Sequence, residues 1–102
     1  MKYILFLFPL IAFSEEDLHF RGRLIYAANC ISCHNSDPKK NGTIGPDVWG
    51  SSKELLKLKI LEGKYPKDYK PKRDTKIMPE FPHLKMEIEA LYRYLNGIKE
   101  KK

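Results

Sequence analysis

Cysteine and tryptophan are scarce in this 102-residue chain, which has two cysteines and one tryptophan. Two cysteines cannot build the dense disulfide framework on which many small exported domains depend. The sequence also lacks a glycine-rich nucleotide loop and a serine nucleophile elbow, the usual signatures of nucleotide binding and of serine hydrolases. A chain of this length forms one domain, and so small a core usually needs a disulfide, a metal or a bound cofactor.

Long hydrophobic runs are absent as well. The longest apolar run, residues 3–13, is shorter than the about 20 residues that a transmembrane helix needs. A basic residue precedes it, and the small residues Ala12 and Ser14 occupy the −3 and −1 positions of a cleavage site. This layout is typical of a secretory signal peptide. We therefore expect residues 1–14 to be a cleaved signal peptide and residues 15–102 to form the exported domain, with no transmembrane segment.

Sustained alternation of apolar and polar residues, the mark of strands, is missing too, and three helical patterns are present instead. They cover about residues 16–30, 51–62 and 82–99. The third pattern has an amphipathic stripe with spacings of four and three residues, formed by Leu84, Ile88, Leu91, Leu95 and Ile98. These patterns predict an all-α fold.

The ends of the second helix carry recognisable signals. Ser51 and Glu54 predict a capping box at its start, and Gly63 predicts its end. The connecting segments, residues 35–50 and 64–81, are rich in proline, glycine and other turn formers. Loops of this length in a small domain must be organised by something other than themselves.

The two cysteines stand three positions apart in the segment NCISCHN, and His34 directly follows the second. A thioredoxin-like dithiol would begin a helix in a βαβ fold, which this sequence does not predict. Structural zinc normally takes four ligands, whereas Cys30, Cys33 and His34 supply three, and a disulfide here would close a trivial loop. C-x-x-C-H is also the attachment pattern of a c-type haem, in which both thiols bond to porphyrin vinyl groups and the histidine ligates iron. This last chemistry uses all three residues.

Other short motifs occur in order along the chain. Gly22 and Tyr26 precede the cysteines, Gly45-Pro46 follows them, and Met78-Pro79 precedes the last helix. Over residues 22–95 the chain resembles a class I (monohaem) cytochrome c of the short bacterial type. The resemblance implies three main helices and loops wrapped around one covalently attached haem c. It also implies a periplasmic electron carrier that is not an enzyme.

Within this resemblance, His34 and Met78 are the expected axial ligands of the iron. Met78 lies 44 residues after His34, in a loop long enough to reach the opposite face, and Pro79 stiffens the chain after it. A Met/His pair raises the potential of a haem. The alternatives are His83 or an open site, whereas Met86 is expected to be a packing or surface residue.

The resemblance also implies contacts around the ligands. Pro46 is expected to supply the carbonyl that accepts the second N–H of His34, as a ligating imidazole normally requires. Trp49 is a candidate for packing on the haem or donating to a propionate, with ordinary core packing as the alternative. Tyr65 and Tyr69 are weaker candidates for the propionates.

A six-coordinate iron predicts outer-sphere electron transfer between redox proteins. Residues 53–76 include nine basic and four acidic residues, which predicts docking on acidic partner proteins. Nucleic acid is not expected as the partner of an exported haem protein, and the protein is expected to be a monomer. A plain solvated lysine-rich surface is the alternative. A different function is that of a dedicated haem c subunit in a multisubunit dehydrogenase that oxidises small sulfur or nitrogen compounds. A third possible function is that of a haem sensor or ligand-binding protein, which requires that Met78 bind the iron weakly or not at all.

Overall fold

Three α-helices and one 3₁₀ helix make up the regular structure in the computed structural model, which describes residues 15–74 and 76–99. They are α1 (Glu15–Asn29), α2 (Lys53–Glu62), the 3₁₀ helix (Pro82–Glu87) and α3 (Ile88–Leu95). No strand occurs in these two described ranges, so the predicted all-α class is confirmed. The predicted signal peptide lies outside the described residues.

Helix α1 packs against α3, and the two backbones approach closely at Gly22. A Cβ atom at Gly22 would lie within 3 Å of the Ala90 backbone and of the Tyr94 Cβ. Beside this crossing the rings of Tyr26 and Tyr94 pack with centroids 5.7 Å apart, and His19 meets Tyr94 edge-on. The glycine therefore lets α1 and α3 cross closely enough for these rings to pack on either side.

The start of α2 differs from the predicted capping box. Ser52, in an extended conformation, is the N-cap, and its hydroxyl accepts a 3.1 Å hydrogen bond from the Leu55 amide. Ser51 cannot cap because it is buried and its hydroxyl donates to the Val48 carbonyl at 2.6 Å. At the other end, Gly63 adopts the left-handed conformation with φ of 68°, as the sequence predicts.

The third helical pattern, predicted over residues 82–99, begins at Pro82 as expected, but it is divided into two helix types and ends earlier. Its first six residues form the 3₁₀ helix, where the Leu84 amide bonds to the Phe81 carbonyl three residues earlier. Helix α3 then ends at Leu95, and Gly97 turns the chain with φ of 64°. The apolar stripe is nevertheless buried from Leu84 to Leu95, since spacings of three and four residues suit both helix types.

The core lies where α1, α2, the 3₁₀ helix and α3 meet, and its buried members are Tyr26, Leu56, Ile60, Leu84, Ile88, Leu91 and Leu95. At its edge Arg21 of α1 forms two 2.6 Å hydrogen bonds with the Glu87 carboxylate. The Phe81 amide donates to the Ile60 carbonyl at 2.7 Å and so ties the chain before the 3₁₀ helix to α2. No helix within the described part of the chain is long and apolar enough to cross a membrane.

Candidate functional site

A large cleft lies between the helical core and the two long loops. It contains about 1300 Å³ of space free of protein atoms, part of which is open to solvent. Every helix contributes to its wall, α1 through Tyr26, and the aliphatic side chains in the wall are those of Ile44, Val48, Leu55, Leu56, Ile60, Leu84, Leu91 and Leu95. Helices α1, α2 and α3 and the 3₁₀ helix therefore each leave part of their apolar surface facing a shared space.

The cysteine pair forms one side of this cleft, immediately after α1. The Cys30 amide bonds to the Tyr26 carbonyl, and the Cys30 carbonyl accepts the amides of Cys33 and His34 at 3.2 and 2.9 Å. These turns place Cys30, Cys33 and His34 together in the wall, with both thiols free and half-buried.

The ionisation of Cys30 argues against dithiol redox chemistry. Burial, followed by the nearby Cys33, raises the pKa of the Cys30 thiol to about 11. Redox dithiols depend instead on a thiol whose pKa is lowered, so that the thiolate is present near neutral pH. The described residues also contain no group of three or more His, Cys, Asp or Glu side chains placed to hold a metal ion.

The His34 imidazole is held from two sides. Its Nδ1 lies 2.8 Å from the Pro46 carbonyl oxygen. Because the carbonyl can only accept, Nδ1 is the nitrogen that donates this hydrogen bond, and in a neutral imidazole Nε2 then has the lone pair. Gly45 lies flat against the ring, and a Cβ atom there would fall within 3 Å of three ring atoms. The ring orientation is thus fixed by the chain, and Nε2 is the nitrogen available to a metal.

Residues 42–47, which contact the His34 ring, fold back onto residues 29–35, the cysteine segment. The amides of Ile44 and Gly45 both donate to the Cys33 carbonyl, at 3.2 and 2.9 Å, and the Gly42 amide donates to the Gly45 carbonyl. Gly42 also lies so close to the Cys33–His34 backbone that a side chain would not fit. These hydrogen bonds hold the loop in the conformation that places the Pro46 carbonyl next to Nδ1 of His34.

Met78 also lies in the wall of the cleft, half-buried against the core and beside Pro79. The other candidates lie elsewhere. Met86 is 86% exposed, as expected of a surface residue. His83 is exposed outside the cleft wall, with its Nε2 3.4 Å from the Asn29 side-chain oxygen. The structure therefore brings a thioether, and not a second imidazole, to the cleft that holds His34.

Trp49 is not brought to the cleft. Its side chain lies against Gly97, the Lys39 ammonium sits 4.7 Å from the ring centroid, and the residue is 37% exposed. This position differs from the core burial that was the alternative expectation, and the side chain is not among those that line the cleft. Tyr65 and Tyr69 do line the cleft, with their rings stacked 5.4 Å apart.

Two wall residues were missed from the sequence. Lys72 donates to the Asp47 carboxylate at 3.0 Å, and Arg73 donates to the backbone carbonyls of Ile44 and Gly42 at 2.8 and 3.2 Å. The sequence shows them only as part of a basic stretch, because partners 25 to 31 residues away leave no local sequence signal.

The residues of the cleft fit a haem. The aliphatic wall suits a large apolar ring, and two thiols that could tether such a ring lie in the same wall. The imidazole and the thioether in that wall are the ligand types found in cytochromes c. A Cβ atom at Gly45 would collide with the His34 ring, so the Gly45 backbone helps to hold that ring in its orientation.

Comparisons with known proteins point the same way. The family model for cytochrome c matches residues 20–99. A cytochrome c-553-like protein from Synechocystis sp. is 33% identical over 78 residues, which cover 76% of this chain and 67% of the relative. No solved structure matches the chain at a comparable level of significance. The chain therefore belongs to the cytochrome c family, as a small all-α monohaem electron carrier with a covalently bound haem c.

Proposed function

We propose that this protein is a periplasmic cytochrome that carries single electrons between redox proteins, with Cys30 and Cys33 as haem tethers and His34 and Met78 as axial ligands. The observation that carries the proposal is the wall of the cleft. Two thiols, an imidazole oriented through Nδ1 and a thioether line one aliphatic space, although Met78 is 44 residues from His34 in the chain.

Each group of the chain has a distinct task in this proposal. When bound, the haem supplies reversible Fe(III)/Fe(II) chemistry. The Pro46 carbonyl holds the His34 proton on Nδ1 and so keeps Nε2 directed to its ligand role. Met78 would supply the second protein ligand of the iron, and two protein ligands would leave no coordination position for a small substrate. The aliphatic wall would limit the contact of the cofactor with water on the side of the helices.

The assignment of Met78 is tested by Met78→Ala with Met86→Ala as its matched control, since Met86 is 86% exposed. In the purified ferric holoprotein, Met78→Ala should lose the absorption band of methionine bound to ferric iron. Its midpoint potential should fall because the Met/His pair raises it, and its ferrous form should bind carbon monoxide. Met86→Ala should match the wild type in all three measurements. A Met78→Ala protein that kept the methionine band would defeat the assignment.

A dedicated haem subunit of a multisubunit dehydrogenase is the second candidate. It is favoured by Phe20 and Leu24, which stand one turn apart on α1 and are 55% and 51% exposed. Neighbouring exposed apolar side chains are the kind of surface that a permanent partner covers. The native mass of the protein from its own cells separates the candidates. A single-chain mass supports the free carrier, whereas stable co-migration with a catalytic subunit supports the second function.

A further inference from the structure

The contacts of Arg73 join the two loops that carry the proposed axial ligands. Residues 42–47, the histidine loop, orient His34 through Pro46. Residues 64–74 and 76–81, the methionine loop, carry Met78. The methionine loop connects α2 to the 3₁₀ helix, so contacts with other segments are needed to hold its middle part in place.

Arg73 provides that attachment through a fork of two hydrogen bonds. Nη1 donates to the Ile44 carbonyl at 2.8 Å and Nη2 to the Gly42 carbonyl at 3.2 Å, and Arg73 itself is half-buried. A planar guanidinium can reach two carbonyls of one loop at once, whereas an ammonium ion acts as a single point charge. Lys72 adds contacts to the Asp47 carboxylate and carbonyl at 3.0 and 3.3 Å.

The opposite side of the histidine loop is bonded to the cysteine segment. The Cys33 carbonyl accepts the amides of Ile44 and Gly45, while the carbonyls of Gly42 and Ile44 are taken by Arg73. The loop that positions the His34 proton is thus held between Cys33 and the methionine loop. Arg73 stands only five positions before Met78 in the chain.

From these contacts we infer that Arg73 is a positioning residue, a latch that couples the methionine loop to the histidine loop and keeps the His34 imidazole oriented. The inference rests on the proposed ligation by His34 and Met78. None of the four Lys72 and Arg73 contacts involves a helix. Loss of the latch should therefore loosen His34 before it loosens the helical core.

The test is hydrogen exchange in the ferrous holoprotein, followed by NMR for the His34 Nδ1–H and, as a core reporter, for the amide of Leu91, which is 1% exposed. In Arg73→Met the His34 proton should exchange about ten to a hundred times faster relative to the Leu91 amide, the size expected for losing hydrogen bonds to a charged donor. Arg73→Lys should fall between Arg73→Met and the wild type. Lys70→Met, which removes a positive charge from an exposed position of the same loop, should not change the ratio.

Several outcomes would overturn the latch. Equal acceleration of both protons would show general destabilisation, and an unchanged ratio would show that Arg73 does not position His34. If Arg73→Met fails to mature with haem, the ratio in Arg73→Lys decides in the same way. A changed pH dependence of the midpoint potential, with unchanged exchange, would assign Arg73 to the cofactor carboxylates instead. A wild-type ferric protein without the methionine band would show that the proposed ligation itself had failed.

Discussion

The imidazole of His34 has little conformational freedom, because its neighbours contact it closely. The Pro46 carbonyl fixes the protonated nitrogen, and the Gly45 backbone lies against the ring. No positive φ is found at Gly45, so an alanine is permitted there by its backbone. The lack of a side chain is required by contact with His34 and not by conformation.

This contact makes Gly45→Ala a selective test of ring positioning. The added methyl group has to displace the His34 ring or the loop, and overpacking of this kind costs about 1–3 kcal/mol. We expect a lower free energy of unfolding of the holoprotein, measured by denaturant titration, together with a shifted midpoint potential. Thr43→Ala, at an exposed neighbouring position, should change neither. If Gly45→Ala behaved like Thr43→Ala, the close contact with His34 would be wrong.

At the residue scale, the sequence predicted what short motifs encode. The contact between Pro46 and His34 was implied by the resemblance that these motifs carry, and the structure shows it, with Met78 in the wall of the same cleft. Trp49 had no such motif, and its position against Gly97 depends on how the end of α3 turns. The Arg73 latch depends on two loops meeting, which no local pattern specifies.

The crossing of α1 and α3 sets the geometry at the scale of elements. Tyr26 links this crossing to the site, since its hydroxyl donates to the Asn35 carbonyl at 2.6 Å just after His34. Burial raises the pKa of the Tyr26 phenol, so it stays a neutral donor. A change in how closely α1 approaches α3 is therefore transmitted to the cysteine segment.

Gly22→Ala tests the crossing. In an open helix this change would stabilise by about 1 kcal/mol. Here the methyl group would meet the Ala90 backbone, which cannot rotate away as a side chain can, so we expect a net loss of about 1–3 kcal/mol. Thermal unfolding of the holoprotein measures the change. Ala27→Gly, at an exposed position of α1, calibrates the intrinsic propensity and should cost about 1 kcal/mol. A stabilised Gly22→Ala protein would contradict the close crossing.

The elements themselves were predicted to within a residue or two where local signals end them. Helix α1 lies one residue from its predicted bounds, and Gly63 ends α2 as expected. The 3₁₀ helix was not predicted as a separate element, because the spacing of its apolar residues also fits an α-helix. The choice of Ser52 over Ser51 as N-cap was not predicted because burial of Ser51 depends on the tertiary fold.

At the scale of the whole molecule, charge is the feature that bears on partners. The chain carries a net charge of +6, and its exposed lysines on α2 and the methionine loop include Lys57, Lys67, Lys70 and Lys76. A surface of one sign steers oppositely charged proteins toward it, and salt screens that attraction.

Electron transfer to an acidic redox protein should therefore slow as salt rises. Raising the ionic strength to well above physiological should lower the second-order rate constant, measured by stopped flow, by about tenfold or more. Replacing Lys67 and Lys70 by glutamate should lower the low-salt rate and weaken its salt dependence. Glutamate at Lys99, an exposed residue outside α2 and the methionine loop, serves as the control. A salt-independent rate would support the plain solvated surface.

The central claim is that Cys30 and Cys33 tether a haem in the cleft, and the mass of the denatured protein tests it most directly. The chain should be produced with haem-attachment machinery and measured beside the Cys30→Ser/Cys33→Ser double variant. The wild type is predicted to keep the mass of the polypeptide plus one haem after denaturation, and the double variant to have the mass of the polypeptide alone. A wild-type chain at bare polypeptide mass would contradict the account.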